Sequence, residues 1–339
     1  MGFRKLGICL LGCGFIGAIH AERWRMMPEV ELVTCFSRNE EKANIFRDKY
    51  GFKKASKNMG EAVSDEDVSI VDICTPTYSH RDAALQALDA GKNVLLEKPI
   101  ALRLSDAREI IRRAEKNNVK LMVAHVLRFW AEYPTIKSIV AEGDIGEPVI
   151  ARAYRQSAFP EWTSDSWHAD IHKSGGVLID LSIHDVDFLR WCIGEVEEIY
   201  AQGGTYLRKD GSSPDYVQAL LKFKTGAIGY VEGSWAMPRK YPLTTFLEIA
   251  GTRGILHVDN RSSASLLIHS SDGVVEKTIP MFRDGYFLEI RSFLDSVIRN
   301  EPPPISGEEG LKSLEIVLAG LKSVSIGKPV RLPLEEEVL

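Results

Sequence analysis

The chain is short of several features that would have limited its function by their presence. Cysteine is scarce: five residues in 339, at 9, 13, 35, 74 and 192, with no CxxC pair. An odd set without paired spacing argues against a disulfide framework or a cysteine zinc site. Four of the five sit in apolar runs that read as buried strand or helix core, so a reducing compartment is expected. No apolar run approaches the ~20 residues of a membrane-spanning helix. The few residues before the first strand leave no room for a charged and then apolar leader, and the expectation is a cytoplasmic protein. Charge of one sign is lacking too. Lys and Arg total 42 against 47 Asp and Glu, a net charge of −5, with no dense basic run. Neither nucleic acid nor an anionic membrane is therefore expected as a partner. No internal repeat or low-complexity segment stands out.

An apolar content of 45% over 339 residues can bury a sizeable core, and the length favours two domains. Residues 1–125 alternate strand-like and helix-like segments. Leu6 to Leu11, Val30 to Phe36, Ile70 to Cys74, Asn93 to Leu96 and Leu121 to Ala124 read as strands. Ala18 to Met26, Glu40 to Tyr50, Arg81 to Ala90 and Ser105 to Asn117 read as helices, the last capped by Ser105. Strict alternation with strands apolar on both faces predicts an α/β Rossmann domain, a doubly wound parallel sheet that binds a dinucleotide at the carboxyl ends of its strands. Residues 126–339 change pattern to seven strand-like runs with turn-rich connections and helices at Gly176 to Ile193, Tyr286 to Asn300 and Glu309 to Ser325. This predicts an α+β domain on a mostly antiparallel open sheet.

Between the first strand and the first helix stands Gly12-Cys13-Gly14-Phe15-Ile16-Gly17. In that context Gly12 permits the tight turn, Gly14 lets backbone N–H groups approach a pyrophosphate, and Gly17 lets helix and strand pack closely. A site for NAD would place a carboxylate at the end of the second strand to bind the adenosine ribose; this chain has Ser37-Arg38. A small hydroxyl followed by guanidinium suits a 2′-phosphate, so NADP is the preferred cofactor, with NAD the other that fits. The alternative for Arg38 is stacking on adenine or facing solvent.

Cys74-Thr75-Pro76-Thr77 with His80 ends the strand from Ile70, and Glu97-Lys98-Pro99 the strand from Asn93, both on the predicted binding edge. The Lys98 ammonium there lowers the cost of a developing alkoxide; the competing reading is a structural pair with Glu97. In the run to Ile193, Asp180 and His184 are spaced i,i+4 and share one face of a single predicted helix, with Asp187 and Trp191 near them and Asp185 beside His184. A carboxylate one turn from an imidazole fixes its tautomer and raises its basicity, as suits a base that removes a hydroxyl proton while the carbinol hydrogen leaves as hydride. Taken alone, the pair also fits an ordinary helix surface. His168, Asp170 and His172 with Asp180 and His184 offer a conceivable metal cluster, but the spacing matches no known ligand pattern and no metal is expected. Trp130, Trp162 and Trp167 either wall a pocket or fill the core.

With these residues in order, the chain resembles the glucose-fructose oxidoreductase and inositol dehydrogenase family over almost its whole length. The match runs through the glycine loop, Cys74-Thr75-Pro76 with His80, Glu97-Lys98-Pro99, the run Gly175 to Asp185, and Gly251-Thr252-Arg253-Gly254-Ile255-Leu256. The resemblance implies oxidation of a secondary alcohol of a cyclic polyol or sugar with NAD(P), and a homodimer or homotetramer built through the C-terminal sheet. It implies that Lys98 touches nicotinamide ribose and substrate, that Asp180 binds substrate hydroxyls and that His184 is the general base. It places Trp167 by the nicotinamide, with His168 where some members carry arginine, and puts His125 and Arg128 beside the substrate. Ser174 and Ser182 depart from positions where glycine is usual. The rival readings are a dinucleotide-sensing regulator, which would need none of the three reactive residues, and an NAD-dependent glycosidase of the same fold.

Overall fold

The computed structural model describes residues 5–161, 166–208, 211–262, 266–270, 273–277 and 284–339. Trp162 lies outside them. The chain forms two compact units. The first holds residues through Val126 together with Asp284–Leu311; the second runs from Leu127 and takes in Lys312–Leu339.

In the first unit, β1 (Leu6–Leu11), β2 (Val30–Phe36), β3 (Lys54–Ser56), β4 (Ile70–Ile73), β5 (Asn93–Glu97) and β6 (Leu121–Ala124) are joined by α1 (Phe15–Trp24), α2 (Glu40–Tyr50), α3 (Met59–Ser64), α4 (His80–Asp89) and α5 (Leu104–Lys116). The strands form one parallel sheet in the order β3-β2-β1-β4-β5-β6. Their near-continuous burial follows from helices on both faces. The order reverses between β1 and β4, and that switch point opens at the ends of the strands carrying the glycine loop and Cys74-Thr75-Pro76.

Two details differ from expectation. β3 and α3, of three and six residues, are too short to leave a periodic signal. Ser105 does not cap α5: the helix begins at Leu104, and its N-cap, Arg103, makes no side-chain cap bond.

The chain continues through α6 (Glu132–Glu142), β7 (Pro148–Ala158), α7 (Ile171–Ser174), α8 (Gly176–Asp180), α9 (Ile183–Ile193), β8 (Val196–Gly204), β9 (Tyr216–Phe223), β10 (Ile228–Met237), β11 (Thr244–Gly251), β12 (Gly254–Asp259), β13 (Leu266–Ser270), β14 (Gly273–Lys277), α10 (Gly285–Arg299), α11 (Gly307–Ile326) and β15 (Val330–Arg331). A second sheet has the order β14-β13-β12-β11-β7-β10-β9-β8-β15. All its pairs are antiparallel except β7 with β10. Alternation sorts its faces: Val217, Ala219, Leu221 and Phe223 are buried, whereas Leu220 between them is half exposed. α8 and α9 pack on the buried side, against β10 and β7.

The first unit runs to Val126 and then takes up Asp284–Leu311. α10 returns to the first unit, where it lies on α1. Asp284 caps α10 by accepting from the Tyr286 and Phe287 N–H groups and pairs with Arg23, while Arg291 reaches Glu29 at 2.7 Å. The sequence marks α10 as an amphipathic helix but carries no local sign of which core its apolar face joins.

Candidate active site

The three glycines of the first loop face different steric demands. Gly12 has φ +111°, and a Cβ there would lie 2.5 Å from the Cys74 carbonyl oxygen; at Gly17 it would lie 2.0 Å from the Gly12 carbonyl oxygen. Both are required by the packing of the chain against itself. At Gly14 an added Cβ meets no atom within 4 Å, so the space in front of it is free of protein. Gly14 is also the N-cap of α1 and offers no side-chain cap, so the first-turn amides of Phe15, Ile16 and Gly17 are not satisfied from that quarter. An opening bordered by amide donors at a helix N-terminus fits the pyrophosphate of a dinucleotide. Thr75, whose backbone nitrogen would lie 2.9 Å from a Cβ on Gly12, has its Oγ1 enclosed without a hydrogen-bond partner, a second polar group that a ligand would satisfy.

Phe15 is two-thirds exposed. Ser37 follows β2, its hydroxyl accepting from the Asn39 N–H at 3.3 Å, and Arg38 is exposed. Pro76 leads into a short 3-10 turn at Thr77–Ser79, with Thr77 buried. His80 has a structural role that the sequence does not reveal. Wholly buried, it sets Nδ1 2.8 Å from the Pro99 oxygen and Nε2 2.9 Å from the Thr75 oxygen, joining the loops after β4 and β5. Burial holds its pKa below the ordinary value. The neutral ring can donate to only one of these carbonyls.

Glu97 is the last residue of β5, and its Oε2 accepts the Lys98 N–H at 3.0 Å. Behind it His20 of α1 faces Asp72 at 2.9 Å and Glu97 at 3.3 Å. Trp24 donates to Asp72 at 2.7 Å. Burial works against charge on His20, but the adjoining Asp72 carboxylate outweighs it and the imidazole is held well above its ordinary pKa. His125 closes β6 in the buried interior of the first unit.

In the second unit the expected single helix is two. α8 ends at Asp180 and α9 begins at Ile183, so Asp180 and His184 do not sit one turn apart on a continuous face. At the break Ser182 is fully buried beside Gly233 of β10, where an added Cβ would lie 2.1 Å from the Ser182 Oγ. An imidazole does lie near Asp180: His168 Nε2 is 3.8 Å from Asp180 Oδ2. His168 stacks on Trp167 and meets Trp235 edge-on at 5.5 Å.

Two buried ion pairs brace this region. Arg128, expected beside the substrate, makes a two-point contact with Asp187 at 2.8 and 2.7 Å, to which Ser313 adds a bond at 2.8 Å. Arg155 grips Asp185 at 3.1 and 2.9 Å and reaches the Tyr133 hydroxyl at 3.4 Å.

Ser174, which replaces a usual glycine, is fully buried: its hydroxyl accepts from the Gly176 N–H and lies 3.0 Å from the His168 oxygen, tying the Trp167–Ala169 turn to α8. Sequence reasoning did not single out Arg155, His20 or Glu289 of α10; each sits in a helix or strand whose period marks its position as interior, and a charged residue there was the available signal. Among the described residues, three-donor groups close enough to hold an ion are His20–Asp72–Cys74 and His20–Glu97–Glu289, both in the first unit.

Residues 6–125 match the family model described as an oxidoreductase family with an NAD-binding Rossmann fold, and residues 133–257 match the GFO/IDH/MocA C-terminal domain. The chain is 30% identical to a myo-inositol 2-dehydrogenase of Thermotoga maritima, over 98% of this chain and 99% of that one. It is 28% identical to a scyllo-inositol 2-dehydrogenase (NAD(+)) of Bacillus subtilis, over 95% of each. The solved structure of an NAD binding oxidoreductase from Klebsiella pneumoniae superposes with a TM-score of 0.87 at 26% identity, over 98% of this chain and 100% of that one. No helix among the described residues is long and apolar enough to cross a membrane. Two family models in tandem and an end-to-end relative agree with the glycine loop, the switch point and the mixed second sheet: the chain belongs to the GFO/IDH/MocA oxidoreductase family, whose N-terminal part is an NAD-binding Rossmann fold.

Proposed function

We propose that the protein is a dehydrogenase that moves hydride between a secondary alcohol of a cyclic polyol or sugar and a nicotinamide dinucleotide, with NADP preferred over NAD. What carries this reading is a combination in one chain, matched end to end by an inositol dehydrogenase: an opening at Gly14 that no protein atom fills, and a carboxylate with imidazoles at Asp180, His168 and His184. Gly12, Gly14, Phe15, Ile16 and Gly17 would hold the pyrophosphate, with Thr75, Pro76 and Thr77 flanking it and Trp167 toward the nicotinamide. The bound dinucleotide supplies the hydride acceptor. His184, neutral, takes the hydroxyl proton; Asp180 accepts hydrogen bonds from substrate hydroxyls; the Lys98 ammonium stabilises developing alkoxide charge. His125 and His168 take further hydroxyls. Arg128 acts at one remove, through Asp187 of α9, the helix that carries His184. Ser37 and Arg38, in place of a carboxylate after β2, favour a 2′-phosphate.

The half-exposed Leu220 and Ile228 on the open side of the second sheet favour a homodimer or homotetramer formed there, in the cytoplasm. A panel of inositols, aldoses and their derivatives with NADP and NAD in turn, followed by absorbance of the reduced nicotinamide, tests the reading. Oxidation of at least one member, faster with NADP, is expected. Dinucleotide binding without turnover of any would favour the sensor, and glycoside cleavage without net reduction would favour the glycosidase.

A further inference from the structure

The Glu97-Lys98-Pro99 turn rests on a buried polar cluster that hydride transfer does not use. His20 is wholly buried between two carboxylates, its Nδ1 2.9 and 3.1 Å from the Asp72 oxygens and its Nε2 3.3 Å from Glu97 Oε1. Glu289 of α10 is also wholly buried, and neither of its oxygens has a hydrogen-bond partner. A Glu289 oxygen, a His20 ring nitrogen and a Glu97 oxygen lie within 4.8 Å of one another, a spacing at which groups bond directly after a small rotation or share one water. The other groups facing the cluster are Cys74, just after β4, 3.4 Å from both His20 and Asp72; Trp24 of α1; and Tyr286 of α10, edge-on to His20 at 5.9 Å. All belong to the first unit.

Charge decides the state of this cluster. One imidazolium against ionised Asp72 and Glu97 leaves a net −1; ionised Glu289 would make it −2 in a place without solvent. Burial, and then the Glu97 carboxylate, push Glu289 well above the ordinary carboxyl range. A proton on Glu289 removes the excess charge and turns an unsatisfied acceptor into a donor.

We propose that Glu289 carries a proton and is a positioning residue for Lys98: its O–H, together with the His20 N–H, holds the Glu97 carboxyl so that Oε2 accepts the Lys98 backbone N–H. The strand end that presents Lys98 is thereby fixed from beneath by α1 and α10. The importance for turnover rests on the dehydrogenase reading; the proton and the tether do not.

Three measurements on the full-length protein compare Glu289→Gln, which keeps a neutral group able to donate, with Glu289→Leu, which does not. Infrared difference spectra of wild type against Glu289→Gln at neutral pH should show a protonated-carboxyl band in the wild type only. Amide hydrogen exchange across residues 95–101 should accelerate about tenfold or more in Glu289→Leu and stay near wild type in Glu289→Gln. On a substrate identified from the panel, Glu289→Leu should lose about tenfold in kcat with little change in dinucleotide affinity, and Glu289→Gln should retain both.

A missing infrared band, unchanged exchange in Glu289→Leu, equal acceleration in both variants, or one equivalent of zinc held by wild type and lost with Glu289→Gln would each overturn the proposal. If Glu289→Leu does not fold, the band and the behaviour of Glu289→Gln decide it. If no substrate is found, the dehydrogenase reading fails, while infrared and exchange still judge this one.

Discussion

The two units handle buried charge in opposite ways. In the second, every buried arginine meets a carboxylate: Arg128 with Asp187, Arg155 with Asp185 and Arg190 with Glu195, each contact between 2.7 and 3.1 Å. In the first, one buried histidine is shared by Asp72 and Glu97, and Glu289 stands near them with no partner. A matched pair holds one geometry at any ordinary pH, because an arginine does not lose its proton. A cluster with more carboxyls than cations has several proton arrangements, and its neighbours select among them. Matched pairs therefore suit a scaffold that aims α9 and the strands beneath it, whereas the unmatched cluster lies under the turn that presents Lys98, the lysine proposed to stabilise the alkoxide.

The sharpest break of this comparison is chemical. If the second unit supplies the base, His184→Ala should lose roughly a hundred- to ten-thousandfold in turnover with dinucleotide affinity nearly intact, measured by steady-state kinetics on the identified substrate. Turnover close to wild type would remove His184 from the mechanism. Next in size is the cost of unmatching a pair. Asp187→Ala leaves Arg128 charged and buried without its carboxylate, and should destabilise the chain by about 3–5 kcal/mol in urea unfolding. A loss below ~1 kcal/mol would mean that water or Ser313 compensates and that the pair is not a brace. Smaller still, Arg38→Ala should weaken NADP by about 1.5–3 kcal/mol and NAD far less, read by calorimetric titration. Equal losses on both would assign Arg38 to adenine or to solvent.

How much of this was legible depends on the range of the signal. The Rossmann strands, the glycine loop and the turns after β4 and β5 are local patterns, and they could be read because strand, turn and helix follow one another within about thirty residues. The second sheet was legible as alternation. Three features were not, and each depends on residues distant in sequence. The helix ends at Asp180 and restarts at Ile183, where Ser182 is buried beside the distant Gly233, so the period that seemed to join Asp180 and His184 runs through a break. Arg128, read as a substrate contact, is drawn to Asp187 fifty-nine positions away. The return of α10 to the first unit, which brings Glu289 to His20, is set by packing alone.

The last prediction asks whether the unmatched cluster responds to pH. Glu289 and His20 are both held above their ordinary values, 4.5 and 6.5. At a pH between the unfolded and folded values of either group, the folded state binds more protons than the unfolded chain. Stability therefore falls as pH rises, by at most about 1.4 kcal/mol per pH unit for each group, until the folded value is passed. The Glu289 contribution is fully present below about pH 4.5 and declines above it; the His20 contribution declines from about pH 6.5 upward. Glu289→Gln removes the first and keeps the second. Urea midpoints taken between pH 5 and 8 should thus fall more steeply with pH in the wild type than in Glu289→Gln, so that the difference between them moves in favour of the variant as pH rises. Asp187→Asn, in the matched unit, should not flatten the curve in this way, because its arginine partner stays charged throughout. Parallel curves for wild type and Glu289→Gln would mean that Glu289 ionises at an ordinary pH in the folded protein, and the contrast between the two units would then be one of geometry alone.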